Sequence, residues 1–219
     1  MSDGVLITLE GGEGAGKSTQ LKLLKRFLVD TSIDVIVTRE PGGVPSAENI
    51  RDLLVNGQTD KWDSLTETLL HFAARQEHVS KLIEPALKAG KWVLCDRFAD
   101  STTAYQGFAQ NIDLDLISNL YNLIIGDLQP NLTIILDLPA EVGLERAKER
   151  GLGGTRYERM GIEFHRRLRD GFLSIAEDNP QRCIVINANQ SIEIISKDII
   201  NIVAERFALS NVSIEGTSI

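Results

Sequence analysis

The chain has 219 residues, of which 42% are hydrophobic and 25% are charged, and its formal net charge is −8 at pH 7. This length and composition predict one α/β domain with a full core over residues 1–209, followed by a polar, frayed tail at 210–219. The acidic balance argues against a broad basic surface for duplex nucleic acid. No segment has the pattern of a signal peptide or a membrane-spanning helix, so we expect a cytoplasmic protein that does not bind membranes.

Short apolar runs alternate with segments of helical periodicity along the chain. Strands are predicted at 5–10, 33–38, 92–95, 133–138 and 183–186. Helices are predicted at 17–29, 47–55, 64–89, 114–125, 140–149, 158–177 and 191–209, with Pro85 dividing or bending the third of them. This alternation predicts a parallel sheet covered by helices on both faces.

Two cysteines, Cys95 and Cys183, lie far apart in the chain and lack the spacing of metal ligands. A disulfide or a redox pair is one interpretation. We favour the other, in which both are small core residues at the ends of strands, and this fits a reducing compartment.

A glycine-rich string between the first predicted strand and helix matches the phosphate-binding P-loop pattern G-x-x-x-x-G-K-[ST]. It consists of Gly11, Gly12, Glu13, Gly14, Ala15, Gly16, Lys17 and Ser18, with Thr19 next. Glycines allow successive N–H groups to point at phosphate oxygens, and the helix N-terminus adds partial positive charge. Because the string stands between a strand and a helix, we prefer an ATP site to a chance glycine-rich turn.

A P-loop also needs a carboxylate near the metal ion, from a neighbouring strand. Asp96 and Asp137 both stand at the ends of predicted strands. We prefer Asp96, together with the Ser18 hydroxyl, as the Mg²⁺ ligand, because Arg97 follows directly and can hold an acceptor phosphate. Asp137 stays open as a residue that touches the nucleotide.

The P-loop alone does not distinguish a kinase from a GTPase or a motor protein. The guanine-reading string N-K-x-D is absent from the sequence, and the chain is short for a motor. Arginines stand where a kinase needs an acceptor-phosphate site and a closing lid, although each could also be solvated helix surface. They are Arg39, Arg51, Arg75, Arg97, Arg146, Arg150, Arg156 and Arg159.

Four further strings make the chain similar to the bacterial branch of the thymidylate kinases. They are TREPGG at 38–43, LLHFAAR at 69–75, DRFADSTTAYQG at 96–107 and DLPAEVGLERAKERG at 137–151. The resemblance extends from the P-loop to about Phe207. It implies a P-loop nucleoside monophosphate kinase with a five-stranded parallel sheet in the order 2-3-1-4-5, a short lid at about 150–158, and a homodimer.

The resemblance implies transfer of the γ-phosphoryl group of ATP to dTMP, giving ADP and dTDP, with Mg²⁺ bound. Catalytic roles fall on Glu13, Lys17, Asp96, Arg97 and Arg156. Arg146 is implied to lie near adenine. Two alternatives stay open: another small-molecule kinase, and an idle ATP-binding module that signals through a partner.

The resemblance also implies an acceptor site. Glu13 is expected at the 3′-hydroxyl, Tyr105 under the sugar, and Phe72 stacked on thymine. Arg75 is expected at the O4 edge of the base. The other expected contacts are Arg39, Glu40, Pro41, Arg51, Arg97, Thr102 and Gln106. We interpret His71, His78 and His165 as residues without a role in the site.

In the eukaryotic branch an arginine stands in the P-loop where this chain has Gly14, whereas the bacterial branch uses an arginine of the lid. We assign this role to Arg156, with Arg150 in reserve. The lid string GLGGTRYE departs from the family pattern in its extra glycines and in Thr155, which replaces a common aspartate.

Overall fold

The computed structural model describes residues 4–149, 151 and 155–209. Its parallel sheet has the strand order β2-β3-β1-β4-β5, which confirms the predicted topology. The strands are β1 (Val5–Glu10), β2 (Val35–Arg39), β3 (Trp92–Asp96), β4 (Leu132–Asp137) and β5 (Cys183–Asn187). The predicted tail at 210–219 and part of the predicted lid, residues 150 and 152–154, lie outside the described residues.

Helices connect the strands and cover the sheet. They are α1 (Lys17–Asp30), α2 (Pro45–Val55), α3 (Ser64–His78), α4 (Glu84–Lys88), α5 (Ala99–Thr102), α6 (Leu114–Ile124), α7 (Ala140–Glu149), α8 (Ile162–Asp178) and α9 (Ile192–Arg206). No helix within the described ranges is long and apolar enough to cross a membrane.

The long helix predicted at 64–89 is continuous but irregular. A π-helical segment, Val79–Ile83, joins α3 to α4, and Pro85 is the second residue of α4. Proline has no N–H to donate and its ring crowds the preceding turn, so a widened turn lets the chain stay helical through it.

Two other segments differ from the prediction. The sequence analysis missed α5 and the π-helical segment Thr103–Ala109 that extends it. The helix predicted at 158–177 begins only at Ile162, because one 3₁₀ turn, Tyr157–Arg159, and Gly161 precede it. Both segments line the site described below.

The core lies on both faces of the sheet. On one face α1 and α9 pack their apolar sides, including Leu24 and Ile199, against the strands. On the other face Phe72 of α3 and Ile117 of α6 belong to a second cluster. Cys95 and Cys183 are free and buried, as predicted.

All strands run in one direction, so their carboxyl ends meet at one edge of the sheet, where ligands bind in this class of fold. In the register of β1 with β3, Leu9 lies opposite Asp96. The loop after β1 is therefore brought beside Asp96 and Arg97, which the sequence places far away along the chain.

Candidate active site

The loop between β1 and α1 has the backbone that its glycines predict. Gly11, Gly14 and Gly16 have φ angles of 133°, 71° and 90°, a region that side-chain-bearing residues rarely adopt. The Lys17 Nζ donates to the carbonyl oxygens of Gly11 and Gly12, at 3.0 and 2.8 Å. Burial, followed by the Arg97 cation, lowers the pKa of Lys17 to about 8.

The loop packs backbone to backbone on α7. A Cβ added to Gly14 would lie 2.0 Å from the Gly143 carbonyl oxygen, and one added to Gly143 would lie 2.4 Å from the Glu13 carbonyl oxygen. Position 14 therefore has no space for a side chain in this arrangement. This packing gives a physical reason for glycine at the position where the eukaryotic branch has arginine.

Ser18 and Asp96 lie side by side at the start of α1 and the end of β3. The Ser18 hydroxyl donates to Asp96 Oδ2 at 2.7 Å. Asp137, the other candidate carboxylate, instead accepts from Arg169 Nε and Nη2, at 2.6 and 2.9 Å. The structure therefore favours Asp96 as the carboxylate that faces the loop.

Arg97, Glu13 and Tyr105 form a compact group next to the loop. Arg97 has a φ of 70°, which is unusual for a residue with a side chain. Its guanidinium donates to the Gly11 carbonyl oxygen at 2.9 Å and to Glu13 Oε1 at 3.1 Å. The Tyr105 hydroxyl donates to the same Glu13 oxygen at 2.7 Å.

The charge of Glu13 is fixed by these neighbours. Burial by itself would raise the pKa of Glu13, but the Arg97 and Lys17 cations outweigh it and lower the pKa to about 2. Glu13 is therefore a carboxylate throughout the physiological range of pH.

A cavity lies next to this group. Its lining contains most of the predicted acceptor residues: Glu13, Glu40, Pro41, Arg51, Arg75, Arg97, Thr102, Tyr105 and Gln106. A second space, the cleft, contains the P-loop from Glu13 to Thr19 together with Arg39, Asp96 and Arg146. Both spaces are lined by Glu13, Glu40, Arg51 and Arg97, so they adjoin at two arginines and two glutamates.

The remaining predicted arginines of the cleft are held by protein partners. Arg39 is exposed and pairs with Glu48 at 3.0 Å. Arg51 Nη1 donates to the Pro41 carbonyl oxygen at 2.8 Å. Arg146 Nη1 donates to the Ala188 carbonyl oxygen at 3.1 Å.

Arg75 is buried and oriented by three acceptors. Its Nε donates to Glu40 Oε2 at 2.7 Å, and its Nη2 donates to the Phe98 carbonyl oxygen and to Thr102 Oγ1, at 3.1 and 2.9 Å. Glu40 in turn lies 3.0 Å from His78 Nδ1. Nη1 of Arg75 has no partner among the described residues.

Gln106 has an unpaired acceptor where Arg75 has an unpaired donor. Its Nε2 donates to Glu67 at 2.8 Å, while its buried Oε1 has no partner within the described part of the chain.

The prediction that Phe72 faces this cavity is wrong. Phe72 is 1% exposed and packs in the core with Phe98 and Ile117. His71 lines the cavity instead. On a helix, residues four apart share a face, and His71 is four positions before Arg75.

His71 is neutral in this setting. Its Nε2 lies 2.9 Å from the Tyr157 hydroxyl oxygen. Burial, followed by the Arg75 and Arg156 cations, lowers the pKa of His71 to about 3. The sequence analysis missed this residue, although its spacing from Arg75 was visible in the sequence.

The placement of Arg156 contradicts its predicted role as a lid arginine. Its side chain is fully buried and donates to the carbonyl oxygens of Leu54 and Thr59, at 3.1 and 2.9 Å. Its Nη2 forms an ion pair with Glu67. A guanidinium held in this way anchors residues 155–159 to α2 and α3 and does not face the P-loop. The reserve candidate, Arg150, lies outside the described residues.

Comparisons with known proteins identify the family of the chain. The family model "Thymidylate kinase" matches residues 9–199. The chain is 52% identical over 209 residues to "Thymidylate kinase" of Caulobacter vibrioides, covering 95% of this chain and all of the relative. It is 51% identical over 207 residues to that of Afipia carboxidovorans, with 94% and 91% covered. The crystal structure of thymidylate kinase from Ehrlichia chaffeensis aligns with a TM-score of 0.76 and 37% identity over 92% of this chain and 99% of that one. This chain belongs to the thymidylate kinase family.

Proposed function

We propose that the chain transfers the γ-phosphoryl group of ATP to dTMP, with ATP over the P-loop and dTMP in the adjoining cavity. A thymidylate kinase phosphorylates dTMP at the expense of ATP. One observation supports the division of the site between the two substrates. Two residues that line the cavity, Arg75 and Gln106, each have a buried polar atom without a partner among the described residues: the donor Arg75 Nη1 and the acceptor Gln106 Oε1.

This pair of groups fits the imide edge of thymine. O4 of the base accepts a hydrogen bond, for which Arg75 is suited, and N3–H donates one, for which Gln106 Oε1 is suited. A site built with unpaired buried groups rejects bases that leave them unpaired, which gives strong discrimination. The flat, neutral His71 ring supplies a stacking face in place of Phe72, and stacking itself distinguishes bases poorly.

The sugar and phosphate of dTMP are assigned to the group around Glu13. The Glu13 carboxylate can accept from the 3′-hydroxyl, and the buried Tyr105 lies beside it. Arg97 and Arg51, at the junction of the cavity and the cleft, can hold the acceptor phosphate. Arg39 is assigned to the outer side of the cleft.

Transfer needs positioning and charge neutralisation more than a base, because the acceptor phosphate is already an oxyanion. Lys17 and Arg97 supply positive charge from the protein. Ser18 and Asp96 offer adjacent oxygen ligands, which suits Mg²⁺. When bound, Mg²⁺ would neutralise charge on the ATP phosphates. Arg146 is assigned to the adenine side of the cleft.

We also propose that the protein is a homodimer. Helices α3 and α6 pack against each other and expose leucines on their outer sides: Leu65, Leu69, Leu114, Leu116 and Leu123. Exposed apolar side chains on adjoining helices are a candidate interaction site. Free, buried cysteines are compatible with the predicted cytoplasmic location.

An acceptor panel tests the proposed function. Purified protein with ATP and Mg²⁺ is offered dTMP, dUMP, dCMP, dAMP and dGMP, and ADP release and the phosphorylated product are both measured. We expect dTMP to be the preferred acceptor and Lys17→Ala to abolish the signal. Nucleotide-dependent partner binding without turnover of any acceptor would instead support the ATP-binding module.

A further inference from the structure

A single buried carboxylate, that of Glu67 on α3, is shared by side chains from two other segments. Glu67 is 1% exposed and does not line the acceptor cavity. Its Oε1 accepts from Gln106 Nε2 at 2.8 Å and from Gln110 Nε2 at 2.7 Å. Its Oε2 accepts from Arg156. Buried groups in such a network restrict one another's orientation.

The chemistry of these partners fixes which end of the Gln106 amide faces the cavity. An ionised carboxylate accepts hydrogen bonds and cannot donate them, and Arg156 pairs with its charge. Gln106 must therefore present its NH₂ group to Glu67. Its oxygen is left for the cavity, where it is buried and has no partner within the described ranges. The two ends of an amide have nearly the same shape, so the partner and not the packing decides between them.

We propose that Glu67 is a positioning residue that sets the base selectivity of the acceptor site. By holding the Gln106 amide, it keeps a hydrogen-bond acceptor in the cavity, which fits the N3–H of an imide base such as thymine or uracil. Cytosine presents a lone pair at N3 and would face the lone pairs of Gln106 Oε1. This inference rests on the proposed function. It explains why the acceptor site would select thymine over cytosine.

Arg156 determines how the amide introduced by a Glu67→Gln substitution must be oriented. In a Glu67→Gln variant, the arginine can only donate, so the new amide turns its oxygen to Arg156 and its NH₂ group to Gln106. Gln106 must then turn its oxygen toward residue 67 and its NH₂ group into the cavity. The cavity changes from an acceptor to a donor at this point, which fits cytosine N3 and opposes thymine N3–H.

The experiment measures kcat/KM for dTMP and dCMP with ATP in excess. For Glu67→Gln we expect kcat/KM for dTMP to fall at least tenfold and the dTMP-to-dCMP ratio to fall at least tenfold. Gln110→Ala is the matched control, because Gln110 bonds the same Glu67 oxygen but does not line the cavity. Its ratio should stay within about twofold of the wild type.

A second variant guards against failure of Glu67→Gln to fold. The exchange Glu67→Gln with Gln106→Glu keeps the total charge and returns an obligate acceptor to the cavity, so it should restore preference for dTMP over dCMP. An unchanged ratio in Glu67→Gln, or a preference for dCMP in the exchange variant, would overturn the proposal. If wild-type protein fails to phosphorylate dTMP, the proposed function itself is wrong. If the wild type phosphorylates dTMP but Glu67→Gln has the same dTMP-to-dCMP ratio of kcat/KM, only the proposed role of Glu67 is wrong.

Discussion

His71 and Phe72 are adjacent in α3, but successive residues of a helix point in different directions, so one faces the site and the other faces the core. His71 lines the acceptor cavity, whereas Phe72 is 1% exposed in the apolar cluster beneath the sheet. We expect His71→Ala to raise KM for dTMP about tenfold, since stacking on a base contributes about 1–3 kcal/mol. Steady-state kinetics with saturating ATP measures this, and kcat should change little.

Phe72→Ala should act on stability instead. Removing a buried phenylalanine costs about 3–5 kcal/mol in free energy of unfolding, which urea denaturation measures. A rise in KM for dTMP in Phe72→Ala, with an unchanged urea midpoint, would restore the original assignment of the stacking residue.

For Arg156, we compare the effect of a substitution on the free energy of unfolding with its effect on kcat. Its buried ion pair with Glu67 leads us to expect that Arg156→Met lowers the free energy of unfolding by about 3–5 kcal/mol, because an uncompensated buried charge remains. Urea denaturation and kcat are measured on the same preparation. A loss of kcat by orders of magnitude at unchanged stability would return Arg156 to the reaction.

Glu10, at the carboxyl end of β1, makes stability depend on pH. Burial, followed by the Asp100 charge, raises the pKa of Glu10 to about 7. A carboxyl whose pKa is higher in the folded state stabilises the fold at low pH, and this contribution is lost as the pH rises through about 7. The Glu10→Gln variant does not titrate there. Relative to this variant, the wild type should lose on the order of 1–3 kcal/mol between pH 5 and pH 8, measured by urea unfolding. Parallel pH profiles of the two proteins would contradict the raised pKa.

At the scale of elements, the contact between the P-loop and α7 leaves no space for one methyl group. Gly143→Ala would place a Cβ 2.4 Å from the Glu13 carbonyl oxygen, so either the loop or α7 must move. Alanine favours a helix more than glycine does, so α7 itself should not be weakened. We expect kcat/KM for ATP to fall about tenfold or more, because small misplacements of catalytic groups are costly. Gly161→Ala, where an added Cβ meets no atom within 4 Å, is the control and should stay near the wild type.

Regular elements were predictable from the sequence, and irregular ones were not. Apolar runs such as Val5–Glu10 predicted the strands, and their alternation with helices predicted a parallel sheet. The strand order, which the structure confirms, was implied only by the family resemblance. The π-helical segment Thr103–Ala109 follows no simple period, so Tyr105 and Gln106 could be assigned only through family resemblance. Pro85 predicted that the helix would be interrupted or bent. It did not predict the π-helical segment Val79–Ile83, which lies before the proline.

At the scale of the whole molecule, the errors in the site came from partners distant in sequence. From the sequence, Arg156 was predicted to be a free cation of the lid. In the fold it pairs with Glu67 of α3, which is 89 residues away along the chain. No local pattern shows such a pair. Conversely, Asp96 and the P-loop could be joined in advance, because parallel strands must bring their carboxyl ends to one edge.

The exposed leucines of α3 and α6 lead to a prediction about assembly. Leu123 is 82% exposed and Leu69 is 47% exposed, on two helices that pack together. We expect the wild type to sediment as a dimer and Leu69→Glu/Leu123→Glu to sediment at the 24.2 kDa of one chain, because buried carboxylates without partners oppose association. Val29→Glu on α1 is the matched control, since Val29 is 51% exposed on the helix layer that covers the other face of the sheet. Sedimentation velocity at micromolar concentration measures all three proteins. A wild type that sediments as a single chain, or a double variant that stays dimeric while remaining folded, would move the interface away from these leucines.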